Sequence, residues 1–286
     1  MTGEQRFEFQ GADGARVAAY RWAAMGPVKA VLQISHGMGE HALRYAEPLQ
    51  PLREAGVTLY AEDHRGHGRT SLDKLGDFGP GGFASIVEDM AVLSGIARRE
   101  NPGKKLVLLG HSLGSFALQI YLVKHSALID AAVLSGSAAL DMLPPPDPEG
   151  GLKSFNKGFE PARTPFDWLS RDPAEVDKYI ADPLCGFDAT PESLMSIFTA
   201  AQVMFEPDAL KRIRPTLPIY LFAGDKDPLN SGLAGLTPLV ERYRAAGIKD
   251  VTHDFYAGGR HEMLNETNRA EVVRNLGRFI ARVAST

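Results

Sequence analysis

The stretch Lys105-Leu106-Val107-Leu108-Leu109-Gly110-His111-Ser112-Leu113-Gly114 decides the fold class. Its first half is a near-continuous apolar run, as expected of a strand that is buried on both faces of a parallel sheet. Its second half fits the pattern G-x-S-x-G, and helical spacing continues from Leu113 to Lys124. The stretch therefore predicts a strand, a sharp turn at Ser112 and a helix.

Ser112 is a candidate nucleophile because the small residues around it permit a strained turn that lifts its hydroxyl above the sheet. Two glycines that bracket a serine also occur in ordinary tight turns, which is the alternative interpretation. The sequence of strand, turn and helix favours the nucleophile. A serine hydroxyl reacts well only when a neighbouring base takes its proton, so a base has to come from elsewhere in the chain.

Apolar segments on both sides of this stretch alternate between the periods of strands and helices. Strands are predicted at residues 6–10, 16–22, 30–34, 57–61, 105–109, 131–135, 219–223 and 251–256. Helices are predicted at residues 45–55, 83–100, 113–124, 233–246 and 266–283. The first two strands favour a hairpin, and the later alternation predicts an α/β fold with a mostly parallel central sheet flanked by helices.

The alternation is interrupted between residues 140 and 214. A proline-rich run at 144–148 opens this interruption, and helical spacing recurs within it at 173–179 and 192–205. A stretch of this length inside a compact domain needs structure of its own. We therefore expect a core formed by residues 1–139 and 215–286, with a helical cap inserted at 140–214.

His261 is the candidate base. In folds of this class the chain order is serine, acid and then histidine. His261 lies in the loop that follows the last predicted strand, and the carboxyl ends of strands are where functional groups collect in open sheets. His253, which falls within that strand, is the alternative.

Asp227 is the candidate acid. It follows the predicted strand 219–223 in the spacing Gly224-x-x-Asp227, from which its carboxylate can turn back toward His261 and orient the imidazole. Asp225 lies next to the glycine and is better suited to capping the turn. Asp141, which follows the strand at 131–135, is the remaining alternative.

Two backbone amides are expected to stabilise the oxyanion that forms during acyl transfer. Leu113 follows the nucleophile and opens a helix, where the helix dipole assists an anion. Met38 lies in the loop after the strand at 30–34, between Gly37 and Gly39, which permit unusual backbone angles. An ordinary glycine-rich turn is the alternative interpretation of that loop.

Five ordered motifs together resemble the alpha/beta-hydrolase superfamily. They are HGxGEH at 36–41, DHRGHG at 63–68, G-x-S-x-G at 110–114, G-x-x-D at 224–227, and His261. The first two are similar to those of monoacylglycerol lipases, lysophospholipases and serine-aminopeptidase-like hydrolases. The motifs cover the chain from about residue 30 to 265, and they specify the fold more closely than the substrate.

The resemblance implies a catalytic triad of Ser112, Asp227 and His261, with Met38 and Leu113 as oxyanion donors. It also implies a serine hydrolase that cleaves monoacylglycerol-like or lysophospholipid-like esters, without a cofactor. Ser115 departs from many lipases, in which a second glycine follows the turn.

Proteins of the same fold can have three other functions. An amidase or proline-type peptidase shares the same triad, and a non-catalytic binding protein can retain the same pocket. A dehalogenase or epoxide hydrolase of the same fold needs a carboxylate nucleophile, and Ser112 argues against that chemistry.

Four apolar residues of the cap are candidates for an acyl-binding wall. The segment 192–205 is apolar around more than one face, which is typical of a helix buried between two layers. Ordinary packing is the alternative for each residue. The four candidates are Leu194, Ile197, Phe198 and Met204.

Histidines and acids, which are common metal ligands, cluster in the loops after the first two parallel strands. They match no H-E-x-x-H pattern, and the phosphate-binding pattern G-x-x-x-x-G-K-[ST] is absent from them. We therefore expect structural hydrogen bonding and neither a metal nor a nucleotide. These residues are His36, Glu40, His41, Glu62, Asp63, His64 and His67.

Composition limits the remaining classes. Lys and Arg total 31 against 35 for Asp and Glu, so the net charge of −4 gives no basic excess for nucleic acid. Cys185 is the only cysteine, which excludes an internal disulfide. We expect it to be a small packed apolar residue rather than a reactive thiol. No apolar run approaches 18 residues. We expect a cytoplasmic protein that acts on a small acyl ester or lipid, with peripheral membrane contact and oligomeric state left open.

Overall fold

One eight-stranded sheet forms the centre of the computed structural model, which describes residues 3–143 and 150–286. Its strands are β1 Glu4–Gln10, β2 Arg16–Trp22, β3 Ala30–Ser35, β4 Val57–Glu62, β5 Lys105–His111, β6 Ala131–Ser135, β7 Ile219–Gly224 and β8 Val251–Tyr256. Their order across the sheet is β1-β2-β4-β3-β5-β6-β7-β8. The predicted α/β class and all eight predicted strands are confirmed.

The pairing of the parallel strands brings their carboxyl ends to one edge of the sheet. β1 pairs with β2, and β2 with β4, in antiparallel fashion, while the remaining pairs are parallel. In this register Ser35 at the end of β3 lies opposite Gly110, and His111 at the end of β5 lies opposite Ser135. In open α/β sheets this edge is the ligand-binding edge.

Helices cover both faces of the sheet. They are α1 Gln50–Glu54, α2 Gly82–Glu100, α3 Leu113–His125, α4 Pro173–Ala181, α5 Pro191–Ala201, α6 Thr237–Ala245 and α7 Arg269–Ala284. One apolar cluster lies between the sheet and the helices α2, α3 and α6, and a second lies between the sheet and the helices α1 and α7. The central strands are buried on both faces, as their continuous apolar runs predict.

The single helix predicted at 45–55 is wrong. The structure has a 3₁₀ turn at Ala42–Tyr45 and then the five-residue helix α1. Pro48 and Pro51 lack the backbone N–H that a helix interior needs, so a continuous helix cannot pass through them. Pro51 is accommodated in the first turn of α1, where that N–H has no helical acceptor.

Two later helices start after their predicted positions. α6 begins at Thr237 rather than 233, because Leu233 has a φ of +76° and therefore cannot be helical. α7 begins at Arg269 rather than 266. Apolar periodicity identifies the buried face of a helix but gives little information about its first residue.

The chain between β6 and β7 contains the two helices predicted there, α4 and α5. The spacing at 192–205 continues past α5 as a 3₁₀ turn, Gln202–Phe205. A third apolar cluster lies within this segment and includes Leu152, Trp168 and Tyr179. The proline run at 144–148 lies outside the described residues, and the domain limits at 140 and 214 stay a prediction.

Within the described ranges, no helix is long and apolar enough to cross a bilayer.

Candidate active site

Ser112 occupies a strained turn between β5 and α3. Its backbone has φ 51° and ψ −118°, a combination that is costly for a residue with a Cβ atom. The backbone can approach so closely only because glycines flank the turn. A Cβ atom on Gly114 would lie 2.1 Å from the carbonyl oxygen of Ser35, and one on Gly110 would lie 2.4 Å from that of Gly114. The turn leaves the Ser112 side chain partly exposed at the ligand-binding edge.

Ser115, the departure from the family pattern, stabilises this turn. Its hydroxyl oxygen lies 2.6 Å from the carbonyl oxygen of Ser112 and 2.8 Å from the hydroxyl of Ser137. A glycine would offer neither contact. The substitution therefore adds polar support below the turn.

His261 and Asp227 form a buried pair. Nδ1 of His261 lies 2.9 Å from Oδ2 of Asp227, and the two residues are 2% and 0% exposed. Because a carboxylate can only accept, Nδ1 carries the proton and Nε2 keeps its lone pair. Burial lowers the pKa of His261, but the Asp227 carboxylate and its hydrogen bond outweigh burial, so the net pKa is raised. This pair can act as an oriented base.

His111 connects this pair to Ser112. Its ring centroid is 4.8 Å from that of His261. A Cβ atom on Gly37 would lie 3.2 Å from both His111 Cδ2 and Ser112 Cβ, and one on Gly136 would lie 2.9 Å from the Cε1 atoms of His111 and His261. His111, the residue before Ser112, therefore contacts His261 and places the Ser112 turn next to the His261–Asp227 pair, with glycines where a side chain would intrude.

The alternative acids and base are engaged elsewhere. Asp225 accepts a hydrogen bond of 2.8 Å from the backbone N–H of Gly258 and thereby caps the turn after β8. Asp141 pairs with Arg242 near the surface, at 2.9 Å. His253 lies within β8, where it stacks on Phe255.

Of the two expected oxyanion donors, Leu113 directly follows Ser112, and Met38 follows Gly37, which lies close to the Ser112 side chain. Leu113 is the first residue of α3, and Met38 lies in the loop after β3, in contact with both the first and the third apolar clusters. The described part of the chain offers no hydrogen-bond acceptor to either backbone N–H. Both amides are thus free to bind a developing anion.

Glu40 holds the loop that carries Met38. Its carboxylate accepts from the N–H of Gly37 at 2.6 Å, from the hydroxyl of Tyr45 at 2.8 Å and from the guanidinium of Arg44 at 2.7 Å. Burial raises the pKa of Glu40, but Arg44 and the nearby histidines outweigh burial and lower it, so the carboxylate is charged. These hydrogen bonds fix the position of the Met38 amide before a substrate binds.

Arg44 links the loop that carries Met38 to the loop that carries His261. Its two terminal nitrogens bind the carboxylate of Glu262, the residue after His261, at 2.6 and 2.7 Å. Its guanidinium also lies 4.9 Å from the ring centre of Tyr179 in α4. No sequence pattern reveals this network, because Arg44 and Glu262 are 218 positions apart.

We expect Arg44→Met to destabilise the protein strongly. The change leaves two buried carboxylates, Glu40 and Glu262, without their cation, and breaking a buried ion pair costs about 3–5 kcal/mol. The free energy of unfolding in urea measures this effect. Arg16→Met is the matched control, since Arg16 and Glu8 are both well exposed and such a pair contributes about 0–1 kcal/mol. Equal losses in the two variants would contradict the network.

Trp168 covers the histidine. Its ring centroid is 4.8 Å from that of His261, and the ring of Phe155 packs against Trp168 at a centroid distance of 5.0 Å. The N–H of His261 also donates to the carbonyl of Trp168 at 3.3 Å. The sequence shows Trp168 only as one aromatic residue within the interruption, and no local pattern assigns it to the site.

The four predicted acyl-wall residues lie on α5 and the turn after it. Ile197 is buried in the first apolar cluster, and Leu194 and Met204 are partly buried against that cluster. Phe198 is 38% exposed, because one residue along a helix turns the side chain by about 100° from the buried Ile197. The first three are sheltered from solvent, whereas Phe198 lies on the outer surface of α5.

The histidine-rich loops hold each other by hydrogen bonds. His36 Nε2 accepts from the N–H of His64 at 2.9 Å, and His67 Nε2 accepts from the N–H of Gly39 at 3.3 Å. Burial lowers the pKa of His36 to about 4 and that of His67 to about 3, so both rings are neutral. They serve as a scaffold beneath the loop that carries Met38.

Known proteins resemble this chain over most of its length. A family model described as serine aminopeptidase, S33, matches residues 26–268. A monoacylglycerol lipase of Mycolicibacterium smegmatis is 32% identical over 95% of both chains, and a monoglyceride lipase of Rattus norvegicus is 27% identical over 89% of this chain and 82% of its own. The solved structure of a thermostable carboxyl esterase from Bacillus coagulans has a TM-score of 0.88 and 27% identity, with 99% of this chain and 100% of that chain covered.

Proposed function

The chain belongs to the serine aminopeptidase, S33, family of alpha/beta hydrolases, and on that premise we propose that this ester hydrolase cleaves monoacylglycerol-like or lysophospholipid-like esters through an acyl-enzyme on Ser112. The observation that carries the proposal is the buried His261–Asp227 pair beside the strained Ser112 turn. The names of the relatives support the substrate class, since two of them are lipases of monoacylglycerols.

Ser112 Oγ attacks the ester carbonyl carbon while Nε2 of His261 takes the hydroxyl proton. The resulting imidazolium gives that proton to the leaving alcohol, and the ester C–O bond breaks. Water then attacks the acyl carbon while His261 takes its proton. The bond from that carbon to Ser112 Oγ breaks, His261 returns the proton to Oγ, and the fatty acid is released. Asp227 keeps the proton on Nδ1 throughout and stabilises the imidazolium by its charge.

The amides of Met38 and Leu113 stabilise the tetrahedral oxyanion. A donor of this kind contributes about 10²–10³ in kcat, because it is already oriented before charge develops. The Glu40 hydrogen bond to Gly37 and the His67 hydrogen bond to Gly39 supply that orientation on either side of Met38.

Apolar residues of the cap are proposed to hold the acyl chain. Trp168 covers His261 and Phe155 packs on Trp168, while α5 and the turn after it contribute the sheltered residues Leu194, Ile197 and Met204. An apolar wall stabilises an acyl chain in proportion to the methylenes that leave water. Phe198 is less suited to this role, since its side chain is exposed.

The substrate class predicts a chain-length profile. With p-nitrophenyl esters from acetate to palmitate, kcat/KM is expected to rise by up to about fourfold for each methylene that becomes buried, until the wall ends. Monoacylglycerol and lysophosphatidylcholine measured in parallel distinguish the two headgroups.

Aminoacyl anilides, among them a prolyl anilide, test the peptidase alternative in the same assay. The Ser112→Ala variant gives the background rate of hydrolysis. Faster turnover of an anilide than of every ester would replace the esterase assignment by a peptidase. Failure of a fluorophosphonate probe to label Ser112 would instead favour a non-catalytic binding protein. Cytoplasmic location remains a prediction, which fractionation of cells can test.

A further inference from the structure

A histidine, a carboxylate and a thiol converge where the loop after β3 meets the segment after α4. Nε2 of His41 lies 2.8 Å from Oδ2 of Asp182, and one ligand atom each from His41, Asp182 and Cys185 lie within 4.8 Å of one another. Within residues 3–143 and 150–286, this is the one group of three or more such residues close enough to share an ion. None of the three takes part in the proposed hydrolysis.

The backbone around the thiol is fixed independently of these contacts. The N–H of Leu184 donates to Oδ1 of Asp182 at 2.9 Å, and the N–H of Cys185 donates to the carbonyl of Asp182 at 3.0 Å. The N–H of Gly186 then donates to the carbonyl of Gly39 at 2.9 Å. The ligand atoms are therefore held together without an ion, as a preformed site requires.

His41 has an unused nitrogen. The residue is 6% exposed, and its Nδ1 has no hydrogen-bond partner in the part of the chain that the structure describes. Since Asp182 accepts from Nε2, the proton is on Nε2 in the free protein. The imidazole can move that proton to Nδ1 without breaking another hydrogen bond, and Nε2 is then free to coordinate.

The surrounding charges favour a cation. Three carboxylates, those of Asp182, Glu40 and Glu262, act on the Cys185 thiol, against one guanidinium, that of Arg44. A thiophilic ion that coordinates Cys185 removes the thiol proton.

We propose that His41, Asp182 and Cys185 bind a thiophilic divalent cation such as Zn²⁺. Imidazole nitrogen, carboxylate oxygen and thiolate sulfur are the ligands that Zn²⁺ takes, and three protein ligands leave one position for water. On binding, the Cys185 proton leaves to solvent and the His41 proton moves from Nε2 to Nδ1. Ligand atoms around a tetrahedral Zn²⁺ lie roughly 3.3–3.7 Å apart, so shifts of about 1 Å complete the coordination.

Solvent reaches the site through a groove. His41 and Asp182 line a groove of about 910 Å³ that runs between the segment 43–55, α4 and α7. A hydrated ion can enter there without passing Ser112. The ion would join the loop that carries Met38 to the cap segment and so restrain their separation.

Cobalt is the probe for the test, since Co²⁺ accepts the same ligands and reports a thiolate by a near-ultraviolet charge-transfer band. Titration of the full-length protein with Co²⁺ is expected to produce that band at one equivalent, and Zn²⁺ is expected to abolish it. Zn²⁺ at about 100 times its dissociation constant is expected to raise Tm by about 5 °C.

Three variants separate this site from surface binding. Cys185→Ala and Asp182→Asn are expected to weaken Zn²⁺ binding about 100-fold or more, and Cys185→Ala removes the band. His125→Gln is the matched control, since it removes a histidine–carboxylate pair of similar length (3.0 Å to Glu88) that has no cysteine among its partners. The variant proteins' Tm without metal shows whether they fold.

Absence of binding, binding without the thiolate band, or equal loss in His125→Gln would each overturn the proposal. These readouts do not depend on ester hydrolysis, so their failure leaves the proposed function unaffected.

Discussion

Ser112→Ala is expected to lower kcat by about 10⁴–10⁶ on any ester that the protein cleaves, without unfolding it. The variant retains the amides of Met38 and Leu113, so a residual rate above that of water should persist. Alanine also relieves none of the strain at φ 51°, because it keeps the Cβ atom. The measurement is kcat in the steady state, with circular dichroism to verify the fold.

His261→Ala should lose nearly as much, and the double variant should be hardly slower than either single one, since the two groups act as a unit. Ser115→Ala is the control, because Ser115 contacts the backbone of Ser112 but no reacting atom. Losses that multiply in the double variant would contradict a common step for Ser112 and His261.

Asp227→Asn is expected to lower kcat by about 10²–10⁴. The Asn amide can donate to Nδ1 and thereby favours the imidazole tautomer in which Nε2 carries the proton. A protonated Nε2 cannot accept the hydroxyl proton of Ser112. The change keeps the volume of the side chain and its second contact, in which Oδ1 accepts from the N–H of Leu229 at 2.9 Å. Asp225→Asn should cost far less, and the reverse order would move the acid to Asp225.

The pH profile of kcat/KM tests the same pair. The base works only as neutral imidazole, so activity falls as the pH drops through the pKa of His261. Because Asp227 raises that pKa above its usual value, the acid limb of the natural protein should lie above about pH 6.5. Without the carboxylate, burial dominates, and the limb of Asp227→Asn should move to lower pH. An unchanged limb would show that another group controls it.

The parts of this protein that sequence reasoning predicted well are those with local causes. The turn at Ser112 needs small residues within two positions on either side, and Gly110 and Gly114 supply them. The strands are recognisable because burial on both faces demands unbroken apolar runs. The positions of Asp227 and His261 follow from the fact that parallel strands end at one edge.

The features that could not be predicted from the sequence depend on pairs of residues far apart in the chain. No spacing rule connects Arg44 to Glu262, or Trp168 to His261, because folding alone makes them neighbours. The helix expected at 45–55 failed for a different reason. Its apolar spacing was satisfied, but two prolines remove the hydrogen bonds that a continuous helix needs.

The order of the strands has a consequence for biosynthesis. β3 and β5, which frame the Ser112 turn, are central in the sheet and are complete once residue 111 has left the ribosome. The proposed acid, Asp227, follows β7, and the proposed base, His261, follows β8, the last strand to be made. A nascent chain of this protein can therefore display the serine long before any group can deprotonate it. We therefore expect hydrolysis by the proposed triad only after the sheet has received its final strand.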